Sequence, residues 1–94
     1  MGKLDGKVAW ITGSGSGIAR DAARLFASEG ARIGVAEINP DAGAETVDLI
    51  KSDGGEALFV PTDVSEADQV ENSINETVAA FGRLGVMYNC AGGS

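Results

Sequence analysis

A glycine-rich elbow, Thr12-Gly13-Ser14-Gly15-Ser16-Gly17-Ile18-Ala19, joins a short apolar run at residues 7–12 to a helix-patterned stretch at 18–26. Glycine at 13 permits a tight turn, and glycines at 15 and 17 keep side chains away from the backbone. A helix opening near Gly17 offers unpaired N–H groups and the positive end of its dipole. This is an arrangement that brings main-chain amides against an anion such as a pyrophosphate. A plain strand-to-helix turn uses the same residues, so the elbow has to be tested against the rest of the chain.

The rest of the chain alternates. Residues 7–12, KVAWIT, are mostly apolar, as in strands covered on both faces. From Ile18 the spacing changes to Ile18, Ala22, Leu25 and Phe26, one stripe on a helix that stops at Gly30. A second strand is expected at 32–38, weakened by Gly34. Asn39 then caps a helix with Pro40 at its first position and Val47 and Ile50 on its inner face, ending at Gly54-Gly55. The third strand is expected at 57–61. Ser65 is the expected N-cap of the third helix, with Asp68 three residues on and Val70, Ile74, Val78 and Phe81 as its buried stripe up to Gly82. A fourth apolar run at 84–88 leads into Asn89-Cys90-Ala91-Gly92-Gly93-Ser94.

Strands joined by helices imply right-handed parallel crossovers. The expected architecture is a Rossmann-like, three-layer α/β fold, with about four parallel strands in order 3-2-1-4 and three helices. It is a truncated version of the doubly wound fold, read as one domain over residues 1–94. Ligands of such sheets lie in the crevice between strands 1 and 4. Both the elbow and the 89–92 segment would open onto it.

Composition narrows the function. Seven Lys plus Arg stand against 14 Asp plus Glu, a formal charge of −7. That balance argues against nucleic-acid binding, whose affinity comes largely from cationic contacts to phosphate. An anionic ligand would have to be held by backbone dipoles. Histidine is absent and Cys90 is the single cysteine. Disulfide frameworks, Cys/His zinc sites and His-dependent nucleophilic catalysis are therefore excluded within these residues. No apolar run reaches the ~18–20 residues of a membrane span, and nothing at the start reads as a signal core, so the expected location is the cytoplasm.

Glu37 lies 20 residues past Gly17, at the end of the second strand. An acid there can accept hydrogen bonds from the hydroxyls of an adenosine ribose and repel a 2′-phosphate. An isolated strand-end carboxylate is otherwise a solvated group, and the elbow at the right distance favours the binding role. Neither Ser14 nor Ile38 supplies a cation for NADP, so NAD is the expected cofactor.

The elbow, with Thr12, Gly13 and Gly17 in place, resembles the TGxxxGxG pattern of the short-chain dehydrogenase/reductase family, classical type; Ala19 replaces the last glycine. Asp63-Val64 after the third strand and Asn89-Cys90-Ala91-Gly92 after the fourth resemble the family's Asp-Val pair and Asn-Asn-Ala-Gly segment. The four motifs occur in family order across residues 3–92. The resemblance implies the N-terminal, cofactor-binding portion of an oxidoreductase that moves hydride between nicotinamide and an alcohol or carbonyl. It assigns cofactor contacts to Gly13, Ser14, Ser16, Gly17, Ile18, Glu37, Asp63, Val64, Asn89, Ala91 and Gly92. Asp63 would meet the adenine amino group, although it could equally serve the turn before Ser65.

Cys90 departs from the family's second Asn and reads as a small buried residue. Tyr88 does not match the family's catalytic Tyr-x-x-x-Lys, since position 92 is glycine. The catalytic groups would lie past Ser94, and the chain alone is expected to be inactive. A second reading keeps the fold without catalysis. In it, a sheet edge and an uncovered apolar face drive self-association or capture of a missing C-terminal half.

Overall fold

Every residue of β1 (Val8–Thr12) is buried, as a strand covered on both faces requires. The structure, a computed structural model, describes residues 2–13 and 17–89. After β1 come α1 (Gly17–Ser28), β2 (Arg32–Glu37), α2 (Pro40–Ser52), β3 (Glu56–Pro61), α3 (Ala67–Phe81) and β4 (Val86–Asn89). All strand pairs are parallel, in the order β3-β2-β1-β4. The expected 3-2-1-4 sheet with three helices is the observed one.

Alternation along the strands divides the interior in two. Ala9, Ile11, Ile33, Val35 and Ala57 meet Ala19, Ala23, Val47 and Ile50 in one apolar cluster beneath α1 and α2. Trp10 and Gly34 face the other way, toward α3. The capping of α2 follows the sequence reading: Asn39 Oδ1 accepts the N–H groups of Asp41 at 3.0 Å and Ala42 at 3.1 Å, with Pro40 in the first turn. Arg20 then ties α1 to α2 through Glu45 and a 3.0 Å bond from Nε to Thr46 Oγ1.

Two helices are rotated from the expected orientation. On α1 the buried residues are Ala19 and Ala23, while Ile18 and Leu25 are 77% and 58% exposed. Small alanines let the helix axis approach the sheet, and the bulkier residues are displaced to its flank. On α3 the buried residues are Ser73 and Thr77. Thr77 fills the space that a Cβ at Gly34 would need, and Ser73 Oγ accepts a 2.9 Å hydrogen bond from Trp10 Nε1. The expected stripe of Val70, Ile74, Val78 and Phe81 is therefore turned aside; Val78 is exposed, and Val70 and Ile74 are half-buried.

That displaced stripe borders a hollow. Trp10, Val64, Ala67, Val70, Glu71, Ile74 and Asn75 line a volume of about 490 Å³ beside α3. Among the described residues β4 is an edge strand. Its Met87 is 59% exposed, whereas Tyr88 packs edge-on against Phe26 with ring centroids 5.7 Å apart. Among the described residues no helix is long and apolar enough to cross a membrane.

Candidate functional site

Parallel register sets the ends of the strands side by side. Thr12 pairs with Ala36, and Glu37 with Pro61. The residues just beyond these ends meet, and Gly13, Ala36, Glu37, Ile38, Thr62, Asp63 and Val64 line one cleft of about 90 Å³. Four of the sequence-derived candidates, Gly13, Glu37, Asp63 and Val64, are thus brought together from three strands.

Gly13 leaves β1 at φ +66°, a left-handed backbone that favours glycine. Its N–H still donates to Ala36 O at 3.0 Å, so the turn begins without losing the ladder. Thr62 N–H donates to Glu37 O at 2.9 Å, and the buried Thr62 hydroxyl donates to Val60 O at 2.8 Å. The floor of the cleft is therefore main chain fixed by the sheet.

Two carboxylates stand on this floor. Glu37 Oε2 accepts the main-chain N–H of Asn39 at 2.9 Å. Asp63 Oδ1 accepts the hydroxyl of Ser65 at 2.6 Å and its N–H at 3.0 Å. These bonds, the hydroxyl first, hold the Asp63 carboxyl below its ordinary range by favouring the charged form. Asp63 N–H in turn donates to Gln69 Oε1 at 2.8 Å.

This network corrects the reading of Ser65. The N-cap of α3 is Glu66, with no side-chain cap bond, because the Ser65 hydroxyl is already directed to the charged acceptor two residues earlier. The proximity of Thr62 and the Asn39 and Gln69 bonds were not signalled in the sequence. Thr62 is marked only by standing next to Asp63, and the two hydrogen bonds have no spacing signature.

The cleft suits donors more than anions, since its described lining holds two acids and no lysine or arginine. The opening of α1 is different in character. At Gly17 an added Cβ would meet nothing of the protein within 4 Å, and the residue is exposed with Ile18 beside it. Nothing in the described packing needs a glycine here. Ala19 is fully buried in the main cluster, packing helix on sheet.

Arg20, on the first turn of α1, is turned toward Thr46 and Glu45. Ser14, Ser16, Ala91 and Gly92, with Cys90, lie outside the described residues, as does the side chain of Asn89. The Asn89 backbone pairs with Thr12. That pairing places the end of β4 next to the elbow.

Residues 7–94 match the family model for short chain dehydrogenases. Over 89 residues the chain is 49% identical to an uncharacterized oxidoreductase of Thermotoga maritima, covering 95% of this chain and 35% of that protein. It is 43% identical over 90 residues to tropinone reductase-like 2 of Erythroxylum coca, covering 96% and 32%. The structure superposes on a hydroxysteroid dehydrogenase from Escherichia coli with a TM-score of 0.92 at 37% identity, covering 96% of this chain and 38% of that one. It also superposes on a short chain dehydrogenase/reductase from Burkholderia phymatum in complex with NAD, with a TM-score of 0.87 at 40% identity and coverage of 93% and 31%. The chain thus spans about a third of the length of the curated relatives it matches.

Proposed function

The chain belongs to the short chain dehydrogenase family, and on that premise we propose that it is the dinucleotide-binding portion of an NAD-dependent oxidoreductase. The observation that carries this reading is the gathering of Gly13, Glu37, Asp63 and Val64 around one cleft at the strand ends. The open main chain at Gly17 lies at the start of the helix that leaves the same end of the sheet.

In this reading the adenosine half lies in the cleft. Glu37 accepts the ribose hydroxyls, and Asp63, kept ionised by Ser65, accepts the adenine amino group. Gly13 and Val64 supply the walls. The pyrophosphate lies over the elbow at Ser14, Ser16, Gly17 and Ile18, where amides and the α1 dipole replace a basic patch. Asn89, Ala91 and Gly92 border the path toward the nicotinamide.

The bound cofactor would supply the hydride-transfer chemistry, between nicotinamide and an alcohol or carbonyl. This chain's residues bind and orient it, and the single tyrosine, Tyr88, has no lysine four positions on to make a proton-transfer pair. We therefore read residues 1–94 as one cofactor-binding domain, which spans about a third of the length of the curated relatives it matches. A cytoplasmic setting belongs to the proposal; a single cysteine gives no disulfide framework that would suit an oxidising compartment.

The test is a titration with NADH and NADPH, followed by the fluorescence of the reduced nicotinamide. Saturable NADH binding, tighter than NADPH, is expected, and Glu37→Ala should weaken NADH and relax the preference. An absence of binding at millimolar NADH sinks the reading. An unchanged preference in Glu37→Ala removes Glu37 from the site.

A second reading, association without catalysis, is favoured by the hollow beside α3 and the exposed Met87 on edge strand β4. Edge strands and uncovered apolar surface invite pairing with a second copy or with a C-terminal half. Light scattering decides: a stable monomer at high concentration counts against it.

A further inference from the structure

Asp63 leaves the sheet with nearly all of its polar atoms engaged. Its N–H donates to Gln69 Oε1 at 2.8 Å, and its carbonyl accepts Glu66 N–H at 2.9 Å. On the carboxylate, Oδ1 accepts both the hydroxyl and the N–H of Ser65. Among the described residues, the one polar atom of Asp63 that carries no bond is Oδ2. An ionised carboxylate oxygen accepts and does not donate. Held in place, it selects a donor group and rejects a second acceptor.

The bonds to Ser65 and Glu66 are local to the turn, whereas the bond to Gln69 spans six residues. Gln69 stands on the first turn of α3, and α3 is fixed on the sheet by Ser73 at Trp10 and by Thr77 at Gly34. On the other side of Asp63, Thr62 is bonded to Glu37 O and Val60 O. Asp63 is thus suspended between a residue fixed by the sheet and an acceptor fixed by a helix. Of the two atoms of the Gln69 amide, its oxygen alone can take an N–H, so the Asp63 donor sets how that side chain is turned. Gln69 itself is exposed and is not among the described residues that line the cleft.

We propose that Gln69 is a positioning residue for recognition of the cofactor's base: by holding the Asp63 N–H, its Oε1 fixes the carboxylate that takes an exocyclic amino group and turns away a carbonyl. The inference rests on the reading of Asp63 as the acceptor of the adenine amino group. It goes beyond that reading in assigning base selection to a side chain on α3, outside the cleft. Without the Gln69 bond the main chain at Asp63 is freer to turn. The carboxylate then loses the alignment that a hydrogen bond to the amino group needs, and its repulsion of a carbonyl oxygen relaxes.

The probe is reduced nicotinamide hypoxanthine dinucleotide, deamino-NADH. It carries a carbonyl oxygen where adenine has its amino group, and its sugars, pyrophosphate and nicotinamide are those of NADH. Dissociation constants for the two are measured on the 94-residue chain by nicotinamide fluorescence, with circular dichroism melts alongside. The variants are Gln69→Met, which keeps the length but has no oxygen acceptor, Gln69→Glu, which keeps the acceptor, Asp63→Ala, and Asp63→Ala/Gln69→Met. The preference for NADH over deamino-NADH should fall about fivefold in Gln69→Met, the size expected for one neutral hydrogen bond, and stay close to the parent's in Gln69→Glu. Asp63→Ala should abolish the preference, and adding Gln69→Met to it should change nothing more.

A purely structural Gln69 would weaken both nucleotides alike and leave their ratio unmoved, which overturns the proposal. So does an equal loss of preference in Gln69→Met and Gln69→Glu, or a further loss in the double variant. If Asp63→Ala still removes the preference, the adenine reading survives those results. An unaltered preference in Asp63→Ala, or a parent chain that binds neither nucleotide, overturns both. Should Gln69→Met fail to fold, Gln69→Ala takes its place with the same expected ratio, and a failure of both to fold overturns the proposal by making Gln69 a residue of the fold.

Discussion

The side chain of Thr77 occupies the place where any residue but glycine at position 34 would put its Cβ. This fit sets the distance between α3 and β2, and both residues are buried. Gly34→Ala should therefore cost about 1–3 kcal/mol through overpacking. Adding Thr77→Ala should recover part of the loss, as read by urea denaturation. A fully stable Gly34→Ala variant would show that α3 can retreat freely.

A second link holds the same helix. Trp10 is only 3% exposed, and its indole N–H donates to Ser73 Oγ. Ser73→Ala leaves that buried donor without its partner, at a cost of about 1–3 kcal/mol. The lower denaturation midpoint should be accompanied by a change in the emission of Trp10, the single tryptophan. An unaltered midpoint would mean that the indole finds another acceptor.

Ser65 lowers the pKa of Asp63, so the sign of its pH effect is determined. The stabilisation is fully present above the carboxylate's unfolded value and is lost as pH falls through the lower folded one. Ser65→Ala removes the largest cause, the hydroxyl bond. Its Asp63 carboxyl should titrate at higher pH by carbon-detected NMR, and the acid side of the stability curve should fall less steeply. A carboxyl that titrates as in the parent would show that the main-chain N–H of Ser65 suffices.

The role proposed for Gly17 in cofactor binding can be tested apart from folding. Its backbone is helical and a Cβ there meets nothing. Gly17→Ala should leave the melting temperature nearly unchanged, since Gly17 is the first residue of α1 and the ~1 kcal/mol glycine penalty belongs to helix interiors. The same change should weaken NADH at least severalfold by intruding on the pyrophosphate. Unchanged affinity would remove Gly17 from the cofactor path.

Much of the architecture was legible because it is written in alternation and spacing. The strand order follows from right-handed crossovers, and Asn39-Pro40 marks a helix start by its chemistry alone. Glu37 could be placed at a strand end by counting from the elbow, and Asp63 by its position after the third apolar run; register then brings them to one cleft.

The rotation of α1 and α3 was not legible. Hydrophobic periodicity finds an apolar stripe, but the closest contact belongs to residues small enough to permit it, here Ala19, Ala23, Ser73 and Thr77. Short hydrogen bonds across a turn, such as Ser65 to Asp63 and Asn39 to Glu37, depend on torsions that residue types do not specify. The hollow beside α3 follows from the same rotation, because Val70 and Ile74 point past the sheet instead of into it.

Val64 lines both the cleft at the strand ends and the hollow beside α3. A side chain shared by two recesses is not free to adjust to one of them alone. In the proposed reading, a partner seated against Val64 in the hollow would touch a wall of the nucleotide cleft, and any coupling between the two would be equal in both directions. A partner that raises NADH affinity by some factor will itself be bound more tightly, by that same factor, once NADH is present.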